Sequence, residues 1–134
     1  MLPTKKTSLI LLIVLLLTVP TSIAGAASKP ISSADAAAQN GCEQVKLSLS
    51  INDAFLKLSK SEQTKTRTAQ AVASENLAMA TALKSFNIAA KLDKKWKVTA
   101  ANLGTVIHTD KASVFATAFG ALVETCIVVS KLVK

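Results

Sequence analysis

Residues 42–58, CEQVKLSLSINDAFLKL, decide the fold. From Val45 to Ile51 apolar and polar residues alternate, the pattern of a half-buried strand. At 100° per residue the same stretch reads differently. Cys42, Val45, Leu49 and Leu56 fall on one helical stripe, and Leu47, Ile51, Ala54 and Leu58 on another, nearly opposite. The surroundings separate the two readings. From Cys42 to Leu103 there is neither glycine nor proline, while alanine, leucine and lysine abound. A sheet over that distance would need turns, and turns lean on Gly, Pro, Asn and Asp. The stretch is therefore expected to be a helix buried on two sides.

Working outward, Ser32 or Ser33 caps this first helix, with Asp35 near its positive end, and the helix is expected over roughly 33–59. Ser59 and Glu62 fit the capping box S-x-x-E for a second helix that reaches Lys91 or Leu92. The polar run SKSEQTKTRT leaves the break between the two anywhere from 59 to 67. The second helix carries the stripe Ala69, Val72, Ala73, Asn76, Met79, Ala80, Leu83, Phe86 and Ala90. Asp93 caps a third helix with Trp96, Ala100, Leu103 and Ile107 inward. After the joint at 108–110, a fourth helix shows Phe115, Ala118, Phe119, Leu122, Cys126, Val129 and Leu132 on one face. Gly104 and Gly120 lie inside these helices at a cost of about 1 kcal/mol each relative to alanine, which points to close helix approach, with Ala116 beside Gly120.

The start of the chain has a different character. Lys5 and Lys6 precede an uncharged run from Ser8 to Val19, followed by Pro20 and the small residues Ala24, Gly25 and Ala26. This is the layout of a secretory signal peptide over 1–26, with an apolar run too short for a membrane span of about 20 residues. A flexible lead at 27–32 and one helical domain at 33–134 follow, and the mature chain is expected to be secreted or extracytoplasmic, at the cell envelope, without a membrane span. Glu124, inside the apolar stretch 113–129, argues for a bundle helix there and is expected to point outward. Without Lys5 and Lys6, fourteen Lys and Arg face eight Asp and Glu, a balance of +6 that favours acidic partners or simply solubility.

The cysteines link these elements. Cys42 and Cys126 are the only two, and export favours a disulfide between them. In an up-down-up-down bundle both lie roughly 10–14 Å in from the same end, whereas three helices would place them at opposite ends. The expected fold is all-α, an up-down four-helix bundle stapled by one disulfide.

Little chemistry is visible. There is one histidine, His108, and the acids are scattered among lysines. A catalytic histidine needs an orienting acid and a nucleophile in reach, and zinc needs several ligands. No catalytic residue, metal or cofactor is expected, and an enzyme is the least supported class. Specific nucleic-acid binding is disfavoured because arginine is represented by Arg67 alone and aromatics are few. Charge placement says more. One end of the bundle gathers Lys91, Lys94, Lys95, Lys97, Lys131 and Lys134 around Trp96, a candidate surface for an anionic polymer or lipid. The alternative role for Trp96 is to staple the third helix into the core. A second candidate is an interior pocket for an apolar ligand, lined by Leu47, Ile51, Met79, Leu83, Phe86 and Phe115. A homodimer through the spare face of the first helix is a third.

The leader, the early Cys42, AAKLDKKW at 89–96 and DKASVFATAFGALVETC at 110–126 together resemble small exported helical proteins of actinobacteria, whose activities are not established. That resemblance implies a secreted helical domain and assigns no functional residue.

Overall fold

The computed structural model describes residues 30–131, so the leader expected at 1–26, along with Lys29, Leu132 and Lys134, lies outside it. Four helices follow one another: α1 (Ser33–Leu56), α2 (Lys65–Leu92), α3 (Lys97–His108) and α4 (Ala112–Lys131), with a 3-10 turn at Lys94–Trp96 leading into α3. Among the described residues there is no strand. The alternation over 45–51 lies wholly within α1.

Ser32 caps α1, its Oγ accepting from the Asp35 amide at 3.1 Å. The far end differs from expectation. The helix stops at Leu56, and Ser59–Glu62 does form, but as a turn and not as a helix start. The Glu62 carboxylate accepts from the Ser59 amide at 3.0 Å and from its hydroxyl at 2.6 Å. These bonds hold the Glu62 carboxyl below its usual range, the hydroxyl contributing most. Thr64 caps α2, accepting from the Arg67 amide at 3.3 Å. Side chains thus build a tip over 57–64 without glycine or proline.

The α1–α2 pair is joined by a seam of small residues. Ala34, Ala38, Gly41 and Val45 are buried on α1, and Ala78, Ala82, Ser85 and Ala89 on α2. This 4-3-4 spacing keeps one narrow face turned to the partner helix, as in a coiled coil. The expected α2 stripe is corrected accordingly. Ala69, Val72, Ala73, Asn76 and Ala80 are exposed, and the buried face consists largely of alanines one helical step away. At Gly41 the helices come so close that an added Cβ would lie 2.7 Å and 2.8 Å from Phe86 ring atoms. Phe86 fills the space that Gly41 leaves and is fully buried. Beside it, Asn40 Nδ2 donates to Ser85 Oγ at 2.9 Å. Gly104 and Gly120 do not mark close approach, since a Cβ at either position would meet nothing within 4 Å.

The topology is up-down. Trp96 Nε1 donates to Asp35 Oδ1 at 3.2 Å, bringing the α2–α3 joint to the start of α1. The Cys42–Cys126 disulfide, with Cα atoms 5.3 Å apart, brings the last third of α4 to the same end. One buried cluster runs through all four helices, with Phe86, Leu103 and Leu122 as its largest fully enclosed side chains.

The helices are unequal in length. At 1.5 Å per residue α1 and α2 span about 36 Å and 42 Å, but α3 only about 18 Å. The core therefore fills the upper half of the long hairpin. Between Lys46 and Leu77 no residue is buried. By length and composition α4 could cross a membrane, with a mean hydropathy of 1.9, but here it packs chiefly on α3 and is tied to α1 near the disulfide. Glu124 points outward, as expected.

Candidate functional site: an apolar cavity and a basic end

All four helices contribute to the wall of a cavity of about 440 Å³. Each wall follows from helical spacing. On α1, Val45, Ser48, Leu49 and Asn52 fall on one helical face and line the cavity, Val45 buried and Leu49 and Asn52 exposed. On α2, Glu75, Asn76 and Met79 supply the opposite wall. The end of α3 contributes Val106 and Ile107. On α4, Phe115 and Phe119 are one turn apart and stack nearly parallel, with ring centres 5.5 Å apart and planes 10° apart. The lining is mainly apolar, and its polar groups are Ser48, Asn52, Glu75 and Asn76. Leu56 lies one turn past Asn52 and Val72 one turn before Asn76, and both side chains are exposed.

A second groove of about 430 Å³ runs between α1 and α4 beside the disulfide, and it shares Val45 and Leu49 with the cavity. Apolar surface is thus continuous along α1 from Cys42 to Leu49 and into the bundle.

Two of the six residues expected to line an apolar pocket, Met79 and Phe115, do so. Ile51 and Leu83 are half-buried outside the cavity lining. Leu47 is 48% exposed, because the α1 face it occupies has no neighbour at that level. Phe86 belongs to the core, enclosed against Gly41 and 6.3 Å from the Trp96 ring centre. The other lining residues, Val45, Ser48, Leu49 and Asn52 on α1, Glu75 and Asn76 on α2, Val106 and Ile107 on α3 and Phe119 on α4, are not among the six. The signal available is the i, i+4 pair Phe115–Phe119, both of which the sequence places on one face of α4.

The basic end forms, but not as an indole-bearing surface. Trp96 is only 6% exposed, so the expectation that its ring meets an anionic surface is corrected. The ring packs inward and its N–H is taken by Asp35. Lys95 also has a local role: its Nζ lies 2.7 Å from Asp35, 3.5 Å from Asp93 and 5.2 Å from the Trp96 ring centre. The hydrogen bond to Lys95 is the main reason that the Asp35 carboxyl is held below its ordinary range, and the same contact raises the Lys95 ammonium above its own. What remains for an external partner is Lys91, Lys94, Lys97 and Lys131. All four are exposed, and among the described residues no carboxylate lies within 4.0 Å of any of them. At the other end Lys57 pairs with Asp53 at 2.6 Å and Arg67 with Glu62 at 4.0 Å.

Among the described residues no three of His, Cys, Asp and Glu gather into a metal site, and His108 stands exposed at the end of α3. No known protein family, no curated protein and no solved structure matches the chain.

Proposed function

We propose that this chain is a secreted, non-enzymatic carrier that holds a small apolar ligand between its two helical hairpins. The observation that carries the reading is the cavity itself. Its volume of about 440 Å³ falls within the roughly 300–1,000 Å³ of small-molecule sites. Its wall pairs aliphatic and aromatic side chains with a few polar groups, which is the usual division between affinity and orientation. The disulfide suits an oxidising compartment outside the cytoplasm, in keeping with the leader-like start of the sequence.

The test uses a neutral apolar fluorophore, N-phenyl-1-naphthylamine, titrated into the oxidised mature protein. The reading expects saturable one-to-one enhancement and displacement by 1-octanol. An emission change that never saturates, or none at all, would remove the carrier reading.

A second reading rests on the four unpaired lysines. They would hold the protein at an anionic polymer or lipid surface by charge alone, without an inserted indole. Such binding weakens steeply with salt, because the contacts are exposed and screened within about 8–10 Å at physiological ionic strength. Affinity for anionic vesicles that is equal at low and high salt would rule it out.

A further inference from the structure

Among the described residues, Glu75 is the only charged side chain lining the cavity. Its companions at the polar edge, Ser48, Asn52 and Asn76, are neutral. It is half-buried, and among the described residues it takes part in no ion pair. On α2 the residues three and four positions away are Ala71, Val72, Ala78 and Met79, so no lysine or arginine stands one turn from it. In a chain with twice as many basic as acidic residues, an acid that lines an apolar cavity with no ion pair within 4.0 Å among the described residues is unusual. A carboxylate beside apolar walls, partly withdrawn from water, gains most from a cation brought to it. The stacked Phe115 and Phe119 rings line the same cavity, and aromatic faces favour a positive charge.

We infer that the ligand is a cationic amphiphile: an apolar body that fills the space among Leu49, Met79, Val106 and Phe119, and an ammonium that meets Glu75 at the mouth. Asn52 and Asn76 offer carbonyl oxygens to the remaining N–H groups. This rests on the carrier reading and narrows it to one ligand class. The overall field of the protein makes the inference demanding. With a net charge of +8 for the full sequence, non-specific adsorption favours an anion and repels an ammonium. A preference for the cation must therefore come from the local carboxylate.

Three probes of equal chain length, octylammonium, 1-octanol and octanoate, are used at pH 7 to displace N-phenyl-1-naphthylamine from the wild-type protein and from Glu75→Gln. In the wild type, octylammonium is expected to displace the fluorophore at about one tenth the concentration that 1-octanol needs, the equivalent of one charge-assisted contact, with octanoate weakest. In Glu75→Gln, with folding checked independently by far-UV circular dichroism and urea unfolding, octylammonium and 1-octanol should converge. Octanoate as the strongest wild-type competitor, or an ammonium preference that persists in Glu75→Gln, would overturn the inference. If 1-octanol binds and octylammonium has no advantage, the cationic class falls and the carrier reading stands. If neither the fluorophore nor any of the three probes binds, the carrier reading fails and takes this inference with it.

Discussion

Replacing each of three glycines by alanine tests the packing of α1 against α2 with an internal control. Gly41, Gly104 and Gly120 all lie within helices, so alanine should favour each by about 1 kcal/mol through helix propensity alone. Around Gly104 and Gly120 there is nothing for the new methyl to touch, and these two variants should gain close to that amount. At Gly41 the methyl would lie 2.7 Å and 2.8 Å from Phe86 ring atoms, closer than carbon atoms pack. The ring has little room to move, since it is fully buried and sits against Trp96. Overpacking of this kind costs about 1–3 kcal/mol. The propensity term is common to all three, so the gap between Gly41→Ala and the other two should equal the overpacking cost, about 1–3 kcal/mol. For a domain of this size each kcal/mol corresponds to roughly 4–8 °C in Tm. Urea unfolding followed by the emission of the one tryptophan, Trp96, gives the three values directly. Phe86→Leu in the Gly41→Ala background should recover part of the loss, because it removes the ring that the methyl strikes. Three equal shifts within a few tenths of a kcal/mol would mean that α1 and α2 do not approach at Gly41, and the small-residue seam would be wrong.

Other outcomes follow from the same geometry. The Cys42–Cys126 bridge closes a loop with a sequence separation of 84, for which chain entropy gives about 4.5 kcal/mol; paired Cys→Ser replacement should cost 2–5 kcal/mol in urea unfolding, and a cost below about 1 kcal/mol would contradict the pairing. Asp35 is held below its ordinary pKa by Lys95, so its share of stability is complete above about pH 4 and is lost as pH falls through the lowered value. Lys95 is raised, so its share is complete below about pH 10 and is lost as pH rises through the raised value. Stability measured from pH 2 to 11 in wild type and Asp35→Asn should therefore differ by a flat amount in the middle and converge at the extremes; a gap that opens or closes near neutral pH would refute this. Replacing Lys91, Lys94, Lys97 and Lys131 together by Gln should abolish salt-sensitive binding to anionic vesicles while leaving the Tm within a few degrees, since exposed charges without partners contribute little to stability.

The helical class was legible because Cys42 to Leu103 contains no turn-forming glycine or proline, and because the level of two cysteines distinguishes four helices from three. The α1–α2 seam was not, because it consists of Ala34, Ala38, Gly41, Ala78, Ala82 and Ser85, and a search for stripes of large apolar residues passes over small ones. The end of α1 was misread for a related reason: Ser59 and Glu62 make the same bonds in a turn as in a capping box, so the motif locates a tight bend without saying which side the helix lies on. Trp96 was ambiguous between surface and core until Asp35, 61 residues away, was seen to accept its N–H. The cavity was hardest to read, since its wall draws on all four helices and depends on their relative placement, which no single segment of sequence states. Phe86 and Phe115 have the same chemistry and received the same assignment, yet one fills the core and the other faces the opening.

The most direct test is a methyl chemical-shift map of the oxidised protein titrated with 1-octanol. The account predicts saturating shifts at Leu49, Met79, Val106 and Ile107, drawn from three helices around the cavity, with Ile31 and Val98 unmoved on exposed surface outside it. Shifts spread evenly over the exposed apolar residues, or still methyls at Met79 and Val106, would contradict the central claim that the space between the hairpins is a ligand site.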